Sequence, residues 1–309
     1  MKQKARTLPT IMLILMLVFL ISGCQTSEPE KIDLQKTVSA AQLRAMVKTP
    51  IKYYYAGFDR RLEPSEDVKM YVPLLNYLER TTGYKFRLRV FSEDVNIARE
   101  MGLGQVQFAI IGPVSLLQAE KYGIKSLVTG ITEDGTSSYR AMIVTQPGSP
   151  IKSIQDLRGR TLAFGSRTST QGYLIPRIML AQAGLNLSDL ASFESFQSHA
   201  DAANAVISGQ FDAAALQDTL AEKLAAQGLV RIVATSDYYP CSGISVAAGV
   251  DPSVVAAVQK ALLEFEPQGK DRNGLYQWDN SEMPKGFRLT EGDPYAVFRP
   301  WAERFGLLN

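Results

Sequence analysis

Small hydroxyl and amide side chains are crowded into one short segment of the sequence, between a strand-like and a helix-like stretch. An apolar run at 161–164 precedes them and a helical pattern over 173–182 follows. Between these lie Ser166, Thr168, Ser169, Thr170 and Gln171. In open α/β sheets, ligands bind beyond the carboxyl ends of the strands, where this segment falls. Because the first N–H groups of the helix lack partners and its dipole favours an anion, we predict a site for a tetrahedral oxyanion.

Helix capping is the simpler explanation for hydroxyl groups at this position. A single Ser or Thr side chain satisfies the start of a helix, whereas this segment carries several in close succession. Both interpretations stay open from the pattern alone. The oxyanion site accounts for the whole run, and capping accounts for one member of it.

The single histidine of the chain, His199, opens the next helix-like segment. Ser198-His199-Ala200-Asp201 resembles a capping box with Asp in place of Glu, and the helical pattern continues to Ser208. In a first helical turn after a strand, the ring can donate to an oxyanion at the same edge of the sheet. A lone histidine is more often a packed or surface residue. Because the chain has one histidine and two cysteines, we expect no metal site and no cofactor.

These segments resemble the phosphate-, phosphite- and phosphonate-binding proteins of ABC importers. The resemblance covers about Ile51 to the C-terminus and is most specific over 139–213. It rests on Phe164-Gly165 with Ser169-Thr170-Gln171-Gly172-Tyr173-Leu174 and Pro176, on Ser198-His199-Ala200-Asp201-Ala202, and on Gly209 with Asp212-Ala213. It implies a solute-binding lipoprotein of the periplasmic-binding-protein type II fold. In that family the Ser-Thr loop and the histidine grip the oxyanion, and a tyrosine near Tyr139 helps to close the cleft.

The sequence departs from the family pattern at three places. Gln171 stands where the family commonly has Ser, and Cys241-Ser242 stand where members that bind an aminophosphonate have an acidic residue. Val95 replaces a tyrosine that faces the ligand in some members. The resemblance therefore implies that oxyanion recognition is kept and that recognition of the substituent is changed. The exact ligand stays open, as does any contribution to the site from Tyr53, Tyr54, Tyr55, Asp94, Asp218 and Ser242.

Strands and helices alternate along most of the chain, which predicts an α/β fold. Dense turn signals at 146–150 and 238–243 interrupt the alternation and suggest two lobes. We expect lobe 1 to comprise 50–140 plus 245–309 and lobe 2 to comprise 141–244. Each lobe should be a mostly parallel sheet flanked by helices, and two crossover strands should join them into a clam-like solute-binding protein.

The N-terminus has the features of a lipoprotein signal peptide. Three basic residues precede an apolar run over 10–21, which is shorter than the roughly 20 residues of a membrane span. Ile21-Ser22-Gly23-Cys24 then reads as a lipobox. We expect removal of 1–23, acylation of Cys24 and attachment to a bacterial membrane on its extracytoplasmic side, with 24–49 as a flexible tether. The alternative is an ordinary secretory signal in which Cys24 is incidental.

Composition and spacing exclude several classes of function. Without 1–23 the chain has 30 Lys and Arg against 31 Asp and Glu, so its net charge of −1 argues against binding nucleic acid. Cys241 has no internal partner for a disulfide. We find no supported pair of nucleophile and base in the sequence and no pair of catalytic carboxylates. We therefore do not expect an enzyme. We expect a monomer that binds a small oxyanion and works with an ABC permease. A sensor for a membrane signalling partner, or a binder of a sulfonate-like ligand, remains the alternative.

Overall fold

Two mixed β-sheets form the framework of the protein in the computed structural model, which describes residues 52–61, 64–92 and 95–308. The predicted signal peptide, the lipidation site at Cys24 and the tether lie outside the described residues, as does Asp94. Residues 52–308 belong to one compact unit of the chain.

The first sheet contains strands from both ends of the described chain. In chain order these are β1 (Tyr53–Phe58), β2 (Lys85–Leu88), β3 (Phe108–Ile111), β4 (Lys125–Gly130), β12 (Gly243–Val246) and β13 (Phe287–Leu289). Their order across the sheet is β13-β4-β12-β3-β1-β2. β1 runs parallel to β2 and β3, whereas β12 is antiparallel to β3 and β4, and β13 is antiparallel to β4.

The second sheet is built from the middle of the chain. Its strands are β6 (Ala141–Thr145), β7 (Thr161–Phe164), β8 (Ser192–Ser195), β9 (Ala213–Gln217) and β10 (Arg231–Thr235), in the order β10-β6-β9-β7-β8. β7 is parallel to β8 and β9, while β6 is antiparallel to β9 and β10.

A short antiparallel ribbon lies in the chain between the strands of the two sheets. It consists of β5 (Ser138–Tyr139) and β11 (Tyr239–Pro240). β6 and β12 each begin directly after one of these ribbon strands. Because they run away from the ribbon, they lie antiparallel to neighbours that run toward it. The parallel part of each sheet is therefore smaller than the sequence predicted, although two sheets and an α/β architecture were expected.

Helices cover the connections between strands. In the described residues they are α1 (Pro64–Thr82), α2 (Ile97–Gly102), α3 (Pro113–Ala119), α4 (Ile175–Gln182), α5 (His199–Ile207), α6 (Asp218–Ala226), α7 (Pro252–Leu263) and α8 (Arg299–Arg304). None of these helices combines the length and the apolar character that crossing a membrane requires. Short 3₁₀ helices occur at Glu120–Tyr122, Ile154–Leu157, Leu187–Asp189, Trp278–Asn280 and Pro294–Phe298.

One helix starts earlier than the sequence predicts, and the last helical segment is divided at a proline. The helix predicted over 173–182 begins earlier, as one π-helical turn at Thr170–Leu174 that continues into α4. The last helical segment is split into the 3₁₀ turn Pro294–Phe298 and α8, with Pro300 in the first turn of α8. A proline is tolerated there because its missing N–H would have no helical partner.

The core holds these elements in place through buried apolar side chains on both faces of the sheets. Among the largest that are fully buried are Tyr71, Tyr173, Phe164, Phe298 and Leu74. β3, β6 and β9 are buried along nearly their whole length, as expected for sheets covered on two sides. Loops at the carboxyl ends of β1, β3 and β7 are consequently held on rigid supports.

Candidate functional site

A small cavity lies where the loops that follow β1, β3 and β7 meet the start of α5. Its volume is about 30 Å³, which gives room for about two water molecules. All five residues predicted as ligand-binding, Tyr139, Ser169, Thr170, Gln171 and His199, line it. Their role in binding stays a prediction. The other lining residues are Asp59, Arg60, Arg61, Gly112, Ser166, Thr168, Gln197, Ser198, Ser242 and Glu282.

Ser169 and Thr170 use their hydroxyl groups differently. Ser169 caps the π-helical turn, because its Oγ accepts a hydrogen bond from Gly172 N at 2.9 Å. Thr170 is buried, and its Oγ1 accepts from Val114 N at 3.3 Å. Each hydroxyl has one proton to donate in addition. Capping thus explains part of the pattern at Ser169 and leaves the burial of Thr170 to be explained by the cavity.

Gln171 is fixed by two hydrogen bonds that turn its amide toward the cavity wall. Its Nε2 donates to Arg140 O at 2.9 Å and to Asp218 Oδ1 at 3.2 Å. Asp218 is in turn held by Arg140 N, which donates to Oδ2 at 2.8 Å. Oε1 of Gln171 is buried and accepts no hydrogen bond from the described residues. Asp218 therefore positions Gln171 from outside the cavity.

His199 lies in the first turn of α5, next to Ser169, which caps the π-helical turn. We call residues 166–171, with their run of hydroxyl side chains, the hydroxyl loop. Nε2 of His199 lies 3.3 Å from Ser169 Oγ, and Gln217 N donates to its Nδ1 at 3.2 Å. Burial lowers the pKa of the ring from 6.5 to about 4, Glu282 opposes this shift, and Arg61 adds to it. The ring is therefore neutral near pH 7, with its proton on Nε2, where it faces the cavity.

The Ser198 half of the predicted capping box is present at the start of α5, and Asp201 contacts the Ser198 hydroxyl. Ser198 Oγ accepts from Asp201 N at 3.1 Å and donates to Asp201 Oδ2 at 2.7 Å. This pair fixes the first turn of the helix and thereby the direction of the His199 ring. An added methyl group at Gly172 would lie 2.8 Å from His199 Cε1 and 3.0 Å from Ser169 Oγ. Glycine at 172 is thus required for the ring and the loop to approach each other.

Gly112, at the carboxyl end of β3, is surrounded by three side-chain oxygens of the site. An added methyl group there would lie 3.3 Å from Thr170 Oγ1, 3.5 Å from Ser242 Oγ and 3.6 Å from Asp59 Oδ2.

Burial raises the pKa of Tyr139 well above its ordinary value, with the Thr170 hydroxyl among the groups that oppose this. Tyr139 therefore keeps its proton and can donate it.

An ion pair that the sequence analysis missed forms another wall of the cavity. Arg61 Nη1 pairs with Glu282 Oε1, and both side chains are 16% exposed. Burial raises the pKa of Glu282, but the charge and hydrogen bond of Arg61 and the Ser242 hydroxyl hold it below its ordinary value. Glu282 is therefore ionised at neutral pH. Arg61 could have been suspected, because it follows β1 closely, but Glu282 lies in an irregular segment without any local signal.

Asp59 is a second missed residue, directly after β1. Its Oδ1 accepts from Ser115 Oγ and its Oδ2 from Gly112 N, both at 2.8 Å. Burial raises its pKa from 3.8 to about 6, although these hydrogen bonds and Arg61 act in the opposite direction. The signal was available, since an acidic residue at the carboxyl end of a strand lies where ligands bind in such sheets.

A larger cavity of about 300 Å³ adjoins the small one. Asp59, Arg60, Ser166, Thr168 and Gln197 line both cavities, so the two are continuous along this wall. Aromatic and aliphatic side chains form much of the rest of the large cavity, namely Phe58, Phe91, Val95, Ile97 and Phe196, with Arg167 and several small polar residues.

Three tyrosines considered in the sequence lie elsewhere. Tyr54 belongs to the core, and Tyr53 and Tyr55 contact Arg87 and Arg89 at the other end of β1. Of the remaining candidates, Ser242 lines the small cavity and Asp218 supports Gln171. Among residues 52–61, 64–92 and 95–308, no cluster of three or more His, Cys, Asp and Glu side chains is arranged to hold a metal ion.

Residues 57–290 match a protein family described as ABC transporter, phosphonate, periplasmic substrate-binding protein. A probable ABC transporter phosphite binding protein of Prochlorococcus marinus (strain MIT 9301) is 28% identical over 168 residues, which are 52% of this chain and 50% of that protein. A putative aliphatic sulfonates-binding protein of Escherichia coli (strain K12) is 27% identical over 133 residues, 43% of this chain and 40% of that protein. The chain spans about half the length of the first curated relatives it matches.

The fold has close counterparts among solved structures. The Prochlorococcus marinus structure in complex with methylphosphonate gives a TM-score of 0.71 at 17% identity, covering 83% of this chain and 99% of that one. The similarity confirms the predicted fold class, a two-lobed α/β protein of the type II periplasmic-binding-protein architecture. At this identity it establishes the fold alone.

Proposed function

The chain belongs to the family of periplasmic substrate-binding proteins of phosphonate ABC transporters, and from this premise we propose that it captures a small tetrahedral oxyanion for such an importer. The ligand class is phosphonate, phosphite or phosphate. The family is one of binding proteins and not of enzymes, in agreement with the sequence prediction.

One observation carries the proposal: donors from segments far apart in the chain converge on one small cavity. Thr170 and Ser169 come from the loop after β7, His199 from α5, Tyr139 from the ribbon and Arg61 from the end of β1. Neutral O–H and N–H groups together with the Arg61 guanidinium suit the oxygens of a tetrahedral anion. The small volume favours a compact headgroup over a large ligand.

The test is calorimetric titration of the purified protein with methylphosphonate, phosphite and phosphate. We expect at least one to bind with a Kd below about 1 mM, which corresponds to roughly 4 kcal/mol of binding free energy. Saturating ligand should also raise the unfolding free energy, by about 2.7 kcal/mol at a hundredfold excess over Kd. If none of the three binds to the folded protein, the proposed function is wrong.

The sulfonate-binding relative supports a second candidate, a sulfonate as the natural ligand. Both candidates use the same donors, because phosphonates and sulfonates share tetrahedral geometry. For either, the substituent would occupy the large cavity beyond Asp59, where aromatic and aliphatic side chains offer an apolar lining. Val95→Trp should then exclude benzylphosphonate while leaving methylphosphonate binding within about threefold of the parent.

Ligand capture by closure of two lobes is part of the proposal. We keep the boundaries predicted from sequence, with lobe 1 at 50–140 plus 245–309 and lobe 2 at 141–244. A ligand that contacts both lobes shifts the population toward the closed form. Small-angle scattering should show a smaller radius of gyration with bound ligand, and an unchanged radius at saturation would contradict closure.

Membrane attachment and partner are proposed from the N-terminal sequence and the family. Acylation of Cys24 would hold the protein on the extracytoplasmic side of a bacterial membrane, where it would deliver ligand to an ABC permease as a monomer. Cys24→Ser should release the protein from the membrane fraction or leave it unprocessed. Normal processing and fractionation of this variant would rule out lipidation at Cys24.

A further inference from the structure

Glu282, one of the residues that line the small cavity, carries a hydrogen-bond acceptor without a matching donor among the described residues. Glu282 uses Oε1 to pair with Arg61, and the Ser242 hydroxyl lies near enough to help hold its pKa down, but its Oε2 is buried and accepts no hydrogen bond of ordinary geometry from the described residues. Gln171, which also lines this cavity, has a second buried acceptor without a hydrogen bond from the described residues, its amide Oε1. Leaving a buried acceptor unmatched costs free energy, and more so when the acceptor is charged. A ligand with donors as well as acceptors would satisfy these atoms.

Glu282 must act as an acceptor and not as a donor near neutral pH. Burial alone would favour its protonated form, but the neighbouring Arg61 charge outweighs this and holds its pKa below the ordinary value. An ionised carboxylate has only acceptor capacity. An oxyanion whose oxygens carry no proton would therefore meet a like charge at this wall instead of a hydrogen bond.

The donor that meets Glu282 has to belong to the headgroup of the ligand. Glu282 and Gln171 line the small cavity of about 30 Å³ but not the large cavity of about 300 Å³. A substituent long enough to carry its own donor, such as an ammonium group, has room only in the large cavity. The group beside Oε2 is then the O–H of the acid itself.

We propose that Glu282, held in place by Arg61, makes the site select an oxyanion that still carries a proton. A monoprotonated phosphonate, phosphite or phosphate donates its P–O–H to Oε2 while its other oxygens accept from the donors on the opposite walls. A sulfonate or sulfate has no such proton near neutral pH and is repelled. This inference rests on the proposed function and decides between its two ligand candidates.

The first experiment compares methylphosphonate with methanesulfonate, two ligands that have the same substituent and differ in the central atom and in the ionisable proton. At a pH below the second pKa of methylphosphonate, we expect methanesulfonate to bind the full-length protein at least roughly tenfold more weakly. In Glu282→Gln this ratio should shrink to within about threefold, because an amide can donate to a sulfonate oxygen. Glu264→Gln, at an exposed side chain directly after α7, is the matched control and should keep the parent ratio.

The ratio of the two affinities is the quantity to compare. Removing the negative charge of Glu282 strengthens the binding of both anions by a similar factor, so a change in the ratio reports recognition of the proton. Equal binding of the two ligands by the parent protein overturns the inference while the proposed function stands. An unchanged ratio in Glu282→Gln also overturns it. Aminomethylphosphonate tests the ammonium alternative: if Glu282→Gln weakens it far more than methylphosphonate, the carboxylate recognises an amine and the inference is wrong.

A second experiment needs no variant. The affinity of the parent protein for methylphosphonate and for trifluoromethylphosphonate is measured against pH. Each affinity should fall about tenfold per pH unit above the second pKa of that ligand. The pH at which the fall begins should therefore differ between the two ligands by the difference between their pKa values. Titratable or charged groups that face Glu282 belong to the protein and cannot follow the ligand; they are Arg61, Asp59, His199, Asp218, Tyr71, Tyr139, Cys241 and Tyr295. A break at the same pH for both ligands would overturn the inference.

Discussion

The backbone N–H of Gln217 donates to Nδ1 of His199 at 3.2 Å, and this contact decides which ring nitrogen faces the cavity. Because Nδ1 accepts, the proton of the neutral ring sits on Nε2, beside Ser169 Oγ. The histidine is therefore a neutral donor and contributes no full charge to anion binding. Gln217 ends β9, so the sheet itself fixes the tautomer.

This relationship predicts an unusual titration for His199. Its pKa should be about 4, lowered mainly by burial. It is the only histidine in the sequence, so NMR of an untagged sample gives an unambiguous signal. We expect the imidazole carbon-bound proton to keep its neutral shift from pH 8 down to about pH 5, with the ¹⁵N shifts of the Nε2–H tautomer. A midpoint near 6.5 would contradict both the burial and the hydrogen bond from Gln217.

Asp59 and His199 should change the unfolding free energy with pH in opposite directions. The folded pKa of Asp59, about 6, lies above its ordinary 3.8, so its contribution is lost as pH rises from about 4 to 6. The folded pKa of His199, about 4, lies below 6.5, so its contribution is lost as pH falls over nearly the same range. Each shift is worth up to about 3 kcal/mol, and the two nearly cancel.

Single substitutions should separate these two cancelling contributions to the pH dependence of the unfolding free energy. Between pH 4 and 6.5, the unfolding free energy of Asp59→Asn, taken relative to that of the parent protein, should rise with pH, because the opposing contribution of Asp59 is removed. That of His199→Gln should fall with pH for the converse reason. Urea unfolding at several pH values, with Asp279→Asn on an exposed site as control, measures both. Parallel curves for the two variants would contradict the assigned pKa shifts.

Thr170 should contribute to ligand binding through its hydroxyl proton. Its Oγ1 already accepts from Val114 N, which leaves the proton for the ligand. We expect Thr170→Ala to weaken methylphosphonate binding by roughly tenfold to a hundredfold, the effect of losing a hydrogen bond to a charged group. Thr170→Ser, which keeps the hydroxyl, should stay within about threefold of the parent. Equal affinities of all three proteins would mean that the hydroxyl groups of this loop only cap the helix and do not bind the ligand.

Gly172 should be required for the distance between the hydroxyl loop and His199. A methyl group there would lie 2.8 Å from the His199 ring and 3.0 Å from the Cα of Gly165, so the ring or the loop must shift. We expect Gly172→Ala to weaken ligand binding at least tenfold and to lower stability. Gly148→Ala, which meets no atom within 4 Å, is the control. Calorimetry and urea unfolding of both variants check this, and parent-like binding by Gly172→Ala would contradict the geometry.

The local parts of the site could be predicted from the sequence. The hydroxyl run lies between a strand and a helix, and Ser198-His199-Ala200-Asp201 opens a helix, so both were assigned to one edge of a sheet without a structure. The alternation of strands and helices likewise indicated the α/β class and the two sheets. These features depend on residues that are neighbours in the chain, and local propensity and capping preferences therefore reveal them.

The tertiary structure alone decided how these parts act. Arg61 and Glu282 pair across nearly the whole described chain, and no sequence spacing indicates which distant carboxylate will neutralise a buried guanidinium. The tautomer of His199 depends on the end of β9, and the role of Gln171 depends on Asp218 and Arg140. The antiparallel strands β6 and β12 follow from the direction in which each leaves the ribbon. Such contacts are set by packing between segments far apart in sequence, where burial, charge and hydrogen bonding compete in three dimensions.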